Sequence, residues 1–521
     1  MAPPPLPPPP CDDGQGVEVG LPQGPNARAS DWKVLNDDDF SENDKATKTP
    51  TRQWYNRLAG VGLLLVVVTA VVFGRIRPNR GGAADPTASL AAAPVPPGPT
   101  PPPLPPFELD LLGQLRYDPF TRMHVAEGLT IQSIGRTGES VPFTSRYAAQ
   151  PNSGACKFHT QPDGAATFYD AEMDGPAGGF TYCSNSEDEE HGGVYCLAFD
   201  ADCEVRDYAK RMGGWAGDGC GDPPGGVATV WNCSGGRTPW DTWVSCEEGH
   251  PDDLQNGHCW QVDPYGRRDP QRLDQIPPGA LEAMATDDVG AGPVFYITED
   301  FDAGAVRRFT PSATQIPAGW DTLHPNKGQG AVDFLVFDDR VFVPPGGGKD
   351  EQHGTFHWSS NIEDGRRSAD DHYPWTEGIA FAVVDGRRTL FFVAKKLEAI
   401  FQLDLEAGTW RSRSTNADIA GGGSYRAEPD HLYFYGDKWL FHAEDESSTP
   451  GVYLQDVKAN RYYTIFEDKD PVDWGDGEES TGIAVSPDGR CLIGCLQEKG
   501  ECFVVKRDDG GSFDLADQRR R

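Results

Sequence analysis

From Phe107 onward the sequence is a succession of short apolar or alternating runs broken by Gly, Pro, Asp and Asn, with almost no helical periodicity. A period near two over such short runs predicts strands, and turn residues between them predict hairpins, so this part of the chain reads as all-β. One pattern recurs six times: a hydrophobic strand runs into charged or polar residues, then a glycine and a second strand follow. The first three copies are FTYCSNSEDEEHGGVYCLAFD, DTWVSCEEGHPDDLQNGHCWQVD and PVFYITEDFDAGAVRRFTP. The last three are TLFFVAKKLEAIFQLDLEAG, KWLFHAEDESSTPGVYLQDV and CLIGCLQEKGECFVVKRDDG. Upstream stand the candidate innermost strands GGVATVWNC, LEAMATDD, TEGIAFAVVDG, EPDHLYFYGD and STGIAVSPDG. Four-stranded units repeating about every fifty residues predict a propeller, so residues 107–521 are expected to form a six-bladed β-propeller. The one long gap, at about 319–375, is expected to be a loop or small subdomain on one face.

The N-terminal part has a different pattern. Residues 58–74, LAGVGLLLVVVTAVVFG, carry no charge and as one transmembrane helix would reach roughly 25 Å, enough to span a bilayer core. Trp54, Tyr55 and Arg57 on one side, with Arg75, Arg77 and Arg80 on the other, suit the two interfaces. An acidic, proline-rich stretch precedes the run where a signal peptide would have a basic region, so it reads as a retained single-pass anchor. Residues 1–57 then form a disordered tail and 75–106, which include a polyproline stretch, a stalk.

Charge narrows the partners. Eighty acidic against 46 basic residues give a formal net charge of -34, which disfavours nucleic acid or an anionic surface and favours cations. Of the 12 cysteines only Cys11 precedes the apolar run. Such density in the C-terminal part fits an oxidising compartment, which places that part outside the cytosol, extracellular or lumenal, and leaves the tail cytoplasmic. The eleven that follow are odd in number, so five disulfides leave one thiol. That thiol is open to three readings: a metal ligand, a buried bystander, or half of an intermolecular bridge.

In a propeller the inner strands and the loops that follow them ring a central axis, so carboxylates repeated at those corners converge. The candidates are Glu247 and Glu248 after WVSC, Glu282 in LEAM, Glu299 and Asp300 in ITED, and Glu377 in TEG. Further along come Glu428 and Asp430 in EPD, Glu444 and Asp445 in HAED, and Glu479 before STG. Clustered buried carboxylates repel one another unless cations neutralise them or protons are retained. Oxygen donors select calcium, magnesium, manganese or ferric iron, and a thiolate would add a softer metal. His372, His431 and His442 show no HExxH spacing and read as structural.

Residues 232–248, NCSGGRTPWDTWVSCEE, resemble the PhoX alkaline phosphatases, whose hallmark is a near-identical block with a metal-binding cysteine at its head and glutamates at its end. EPDHL and EESTGIAVSPDGRCLIGCLQEKG are similar to later motifs of that family, and the likeness extends loosely over about residues 140–507. The resemblance implies a six-bladed propeller that holds calcium and ferric iron and hydrolyses phosphomonoesters outside the cytosol. It implies Cys233 as an iron ligand, and hence as the odd thiol, with Glu248, Glu282, Glu428, Asp430 and Glu479 as metal ligands and Glu247 and Glu377 beside them. Where the family has Arg-Pro-Glu, its arginine contacting phosphate, this chain has Trp375-Thr376-Glu377. Candidate phosphate contacts are therefore Asn232, Arg237, Lys395, Lys396 and Arg426. The expected partners are a small phosphomonoester and a membrane, with no nucleic acid and no protein partner readable. Two other classes stay open: a calcium-dependent propeller hydrolase of lactonase or phosphotriesterase type, and a non-catalytic, calcium-stabilised binding module.

Overall fold

A computed structural model of the protein describes residues 114–513, apart from 144–154, 176–177, 223, 251–253, 313–317, 324–329, 339–340, 343–351, 416–427, 446 and 470–477. The expected tail, transmembrane helix and stalk lie outside the described residues, as do Cys11 and Arg426. Among the described residues no helix is long and apolar enough to cross a membrane.

The fold is all-β and propeller-like. Six inner strands, β1 (Pro162–Phe168), β2 (Asn232–Arg237), β3 (Leu281–Asp287), β4 (Thr376–Val384), β5 (Glu428–Tyr435) and β6 (Ser480–Val485), each begin an antiparallel meander that runs outward. They stand side by side in chain order, and β6 returns to lie beside β1, so the ring closes about an axis. We call the meanders the first to the sixth blade. They are distributed over five sheets, because the third and fourth share one ten-stranded sheet. That sheet runs outward from β3 to Ala331–Phe337, crosses Gln352–Ser359, and returns through Thr409–Ser414 to β4, nearly closing on itself.

Inner strands are buried along almost their whole length because each sheet is covered on both faces by its neighbours. A separate apolar layer fills each interface. Phe168, Val194, Trp243 and Val262 lie between the first and second blades, and Tyr296, Leu335, Ile379 and Phe392 between the third and fourth. The last blade borrows its outer strand from the N-terminal side, Leu129–Arg136 pairing with Glu501–Arg507, and the disulfide Cys203–Cys491 ties the first blade to the last. Three further disulfides, Cys156–Cys220, Cys183–Cys196 and Cys495–Cys502, leave Cys233, Cys246 and Cys259 as thiols. Four bridges are thus present where the cysteine count predicts five.

Residues 319–375 are the stretch expected as a loop or small subdomain on one face. Their described part lies along the outer rim, where Gln352–Ser359 pairs with both neighbouring blades. Helix α1 (Ile362–His372) follows, capped by the Asn361 side chain, and Ser368 Oγ accepts a bond from the Phe337 amide at 2.9 Å.

Candidate metal centre

All six inner strands slip register against their partners near one end of the axis. The slips fall at Pro162/Ala165, Asn232/Gly235, Leu281/Met284, Thr376/Ile379, Pro429/Leu432 and Thr481/Ala484. A bulge of this kind bends the strand and re-aims a side chain. In the first five blades the residue entering the bulge is Asp163, Cys233, Glu282, Glu377 or Asp430, each of them buried. In the sixth it is Gly482, at φ 65°, and Glu479 just before β6 supplies the carboxylate instead.

A second tier comes from the corner that follows each second strand. Ser186, Glu247, Glu299, Ala394 and Glu444 pair with the residue just before each bulge, and the next residues along the chain are Glu187, Glu248, Asp300, Lys395 and Asp445. In the sixth blade Thr481 pairs with Cys495, so the equivalent position is Leu496, and it is the next residue, Gln497, that lines the cavity and donates to Glu187 Oε2 at 2.7 Å. With Gln161, Glu189 and Trp231, the acids of the two tiers other than Asp163, together with Cys233, Lys395 and Gln497, wall a cavity of about 260 Å³.

Within it the Cys233 thiol donates to Glu282 Oε2 at 2.7 Å. Four overlapping sets bring ligand atoms within 4.8 Å of one another: Asp163/Cys233/Glu282, Glu187/Cys233/Glu248, Asp163/Asp430/Glu479 and Glu282/Glu377/Asp430. Across the cavity, Lys395 Nζ lies 2.5 Å from Glu377, 2.8 Å from Asp445 and 3.3 Å from Asp300. Burial works against its charge, but these carboxylates outweigh burial and hold the ammonium above its usual range. Among the described residues lining the cavity, Lys395 is the one Lys or Arg.

The donors fit cations. Burial, then mutual repulsion, raises the carboxyls of Asp163, Glu248, Glu282, Glu377 and Glu479 well above the ordinary range, and that of Glu187 to about 7. Burial likewise lifts Asp430 to about 6 and pushes the Cys233 thiol well up. Asp163 Oδ2, Asp300 Oδ1 and Asp430 Oδ2 are buried without a hydrogen-bond partner. Without cations such groups must hold protons, whereas hard cations, with a softer one at the thiol, would satisfy the vacant lone pairs and let the acids ionise.

Of the expected ligands, Cys233, Glu248, Glu282, Glu377, Asp430 and Glu479 meet in this cavity. Glu247 and Glu428 do not. Consecutive strand residues face opposite ways, so with Glu248 on the axis Glu247 points outward, accepting from the Val230 and His258 amides at 3.4 and 3.2 Å. Glu299 and Glu444 occupy the same outward position, ion-paired with Arg307 and bonded to the Tyr453 hydroxyl. Glu428 precedes the bulge and pairs with Lys396 at 2.9 Å. Among the candidate phosphate contacts, Lys395 lies in the cavity. Asn232 donates into its own sheet, to Ser245 Oγ at 2.9 Å, and Arg237 sits four residues along β2 from Cys233, about 13 Å away, paired with Asp241. Thr376 Oγ1 accepts from the Glu299 amide at 3.1 Å and joins two blades, while the Trp375 indole donates to Asp302.

Two residues of the possible ligand sets, Asp163 and Glu187, have no counterpart among the expected ones. Asp163 lies in PDGAATF, strand β1, the one inner strand that the repeat reading lacks although its D-G-A-A aligns with E-G-I-A of β4. Glu187 lies at the corner equivalent to Glu248.

Residues 224–276, which contain the NCSGG block and most of the second blade, match the family described as "Alkaline phosphatase PhoX". The structure is similar to Pseudomonas fluorescens PhoX in complex with vanadate, a transition state analogue, over 75% of this chain and 97% of that one, with TM-score 0.53 and 15% identity. These two findings bear out the PhoX resemblance read from the sequence. More distant still are a catalytically inactive Staphylococcus aureus virginiamycin B lyase with quinupristin (10% identity, 73% and 99% coverage, TM-score 0.35) and a Xanthomonas campestris gluconolactonase (12%, 72% and 98%, 0.33). No curated protein sequence matches the chain.

Proposed function

We propose that this chain is a PhoX-type, metal-dependent phosphomonoesterase, a six-bladed propeller whose axial cavity holds calcium and ferric iron. The observation that carries this reading is the convergence of Cys233 with carboxylates from all six blades in one small cavity, two of whose donors, Cys233 and Glu248, lie within the residues 224–276 that match the PhoX family. Cys233, Glu187 and Glu248 would hold iron, and Asp163, Glu282, Glu377, Asp430 and Glu479 the remaining ions. Bound cations would draw phosphate oxygens into the cavity and offset the negative charge that develops in displacement. The chain's own contribution is to fix those ions on rigid inner strands and to offer Gln161, Trp231 and Gln497 at the cavity wall. A thiol in the same cavity sets the site apart from the oxygen-only sites of a calcium-dependent lactonase. The ring is also read as extracellular or lumenal behind an anchor at residues 58–74, a placement that its disulfides favour.

The second reading, a metal-binding module without turnover, is favoured by the lack of an arginine among the described cavity residues. The full chain, loaded with iron and calcium and assayed on an aryl phosphate, separates the two. Turnover abolished by chelation and by Cys233→Ala supports the enzyme; metal-loaded protein without turnover leaves the binding module.

A further inference from the structure

The corner tier contains one residue of opposite sign. Where the first, second, third and fifth blades place Glu187, Glu248, Asp300 and Asp445, the fourth places Lys395, and register pairing makes the positions equivalent. Its side chain is only 13% exposed, and its three N–H donors face three carboxylates, from the third, fourth and fifth blades. None of the ligand sets that could share an ion includes Asp300 or Asp445, the two corner acids that Lys395 holds.

We propose that Lys395 is a built-in cation: its ammonium fills the place between the third and fifth blades that a metal ion would otherwise take, which confines the bound metals to the Cys233 side. Asp300 and Asp445 are then charge partners of Lys395 and not metal ligands. This rests on the metal-dependent reading above.

The test is metal content of the full-length protein by mass spectrometry after dialysis from excess calcium and iron. Lys395→Met should retain about one more calcium per chain than the native protein, because a buried acidic pocket that loses its ammonium must recruit another cation. Lys395→Arg and Asp445→Asn should match the native content. An unchanged or lower content in Lys395→Met, or one equivalent lost in Asp445→Asn, overturns the proposal. Should Lys395→Met fail to fold, Asp445→Asn decides. A native protein that retains no metal sinks the metal-dependent reading itself, and this proposal with it.

Cys246 and Cys259 stand apart from the cavity wall and lie directly opposite each other in register, with Sγ atoms 3.2 Å apart and both side chains buried. The same cross-strand relation is already bridged in the first blade by Cys183–Cys196, also 13 residues apart, and in the last by Cys495–Cys502. We infer that Cys246 and Cys259 form a fifth disulfide by exchange with a donor disulfide. Two S–H bonds break, one S–S bond forms, and the donor is reduced to two thiols by the electrons and protons released. Cys233 is then the one thiol among the described cysteines. Protein made in an oxidising compartment, denatured, alkylated without reduction and mapped by mass spectrometry, should show Cys246 and Cys259 linked and Cys233 labelled. Alkylation of all three sinks the inference.

Discussion

Asn185 Nδ2 donates to the carbonyl oxygens of both Cys233 and Ser234, at 3.0 and 2.8 Å, and Asn185 Oδ1 accepts from the Trp243 indole at 2.8 Å. One amide of the first blade thus clamps the bulge that aims the Cys233 thiol, and the tryptophan of the TWV block orients the clamp. Asn185→Ala should cost about 2 kcal/mol, since the carbonyls and the indole lose their partner. It should also weaken iron retention by about 10-fold, as losses behind a ligand do. Denaturant midpoints and iron content check both; native iron content in a destabilised variant would reduce Asn185 to a packing role.

The raised carboxyls fix the sign of a pH dependence in the metal-free protein. Glu187 is raised by burial to about 7 and Asp430 to about 6, against ordinary carboxyl values near 4 in the unfolded chain. From about pH 4 up through about pH 7 the folded state holds more protons than the unfolded one, so stability falls as pH rises. Chelated protein should therefore melt at lower temperature at about pH 8 than at about pH 5, and added calcium should rescue it most at the higher pH, where ions no longer compete with protons. A melting temperature that climbs over this range without cations would mean that the acids ionise unaided.

How much of this was legible follows from what each signal encodes. Strand alternation and the repeat revealed the ring, because every blade must cover two neighbours, and the NCSGG block marked Cys233 and Glu248. The same alternation, carried through the WVSCEE corner, separates Glu247 from Glu248, but only once the register with β2 fixes which residue faces the axis. Asp163 was hidden because PDGAATF is small and weakly hydrophobic, as a strand must be where Gly164 lies so close that a Cβ would come 2.2 Å from Ser234 Oγ. That Lys395 pairs with three acids required the fold, since its partners come from three blades.

Glu247 and Glu248 offer an internal control for the ligand assignment. Glu247→Gln keeps one acceptor oxygen for the Val230 or the His258 amide and turns an NH2 group toward the other, so it should retain native metal content at a stability cost of about 1–3 kcal/mol. Glu248→Gln removes an anion from the Glu187/Cys233/Glu248 set and should lose iron while folding normally. Equal metal loss in the two variants would contradict the outward placement of Glu247.

The approach of β4 to β5 sets the spacing of two ligands. A Cβ on Gly378 would lie 2.4 Å from the Asp430 carbonyl oxygen and 2.5 Å from the Leu432 amide nitrogen, both backbone atoms that cannot swing aside. Gly378→Ala must therefore separate the two bulges, moving Glu377 from Asp430, with which it shares an ion set through Glu282. The expected cost is about 1–3 kcal/mol, as for overpacking elsewhere, together with loss of the ion that set would hold. Gly292, whose added Cβ would meet nothing within 4 Å, is the matched control, and Gly292→Ala should change stability by no more than about 0.5 kcal/mol. If Gly378→Ala melts earlier yet keeps its full metal content, the close approach serves packing alone and the geometry of the centre tolerates a wider ring.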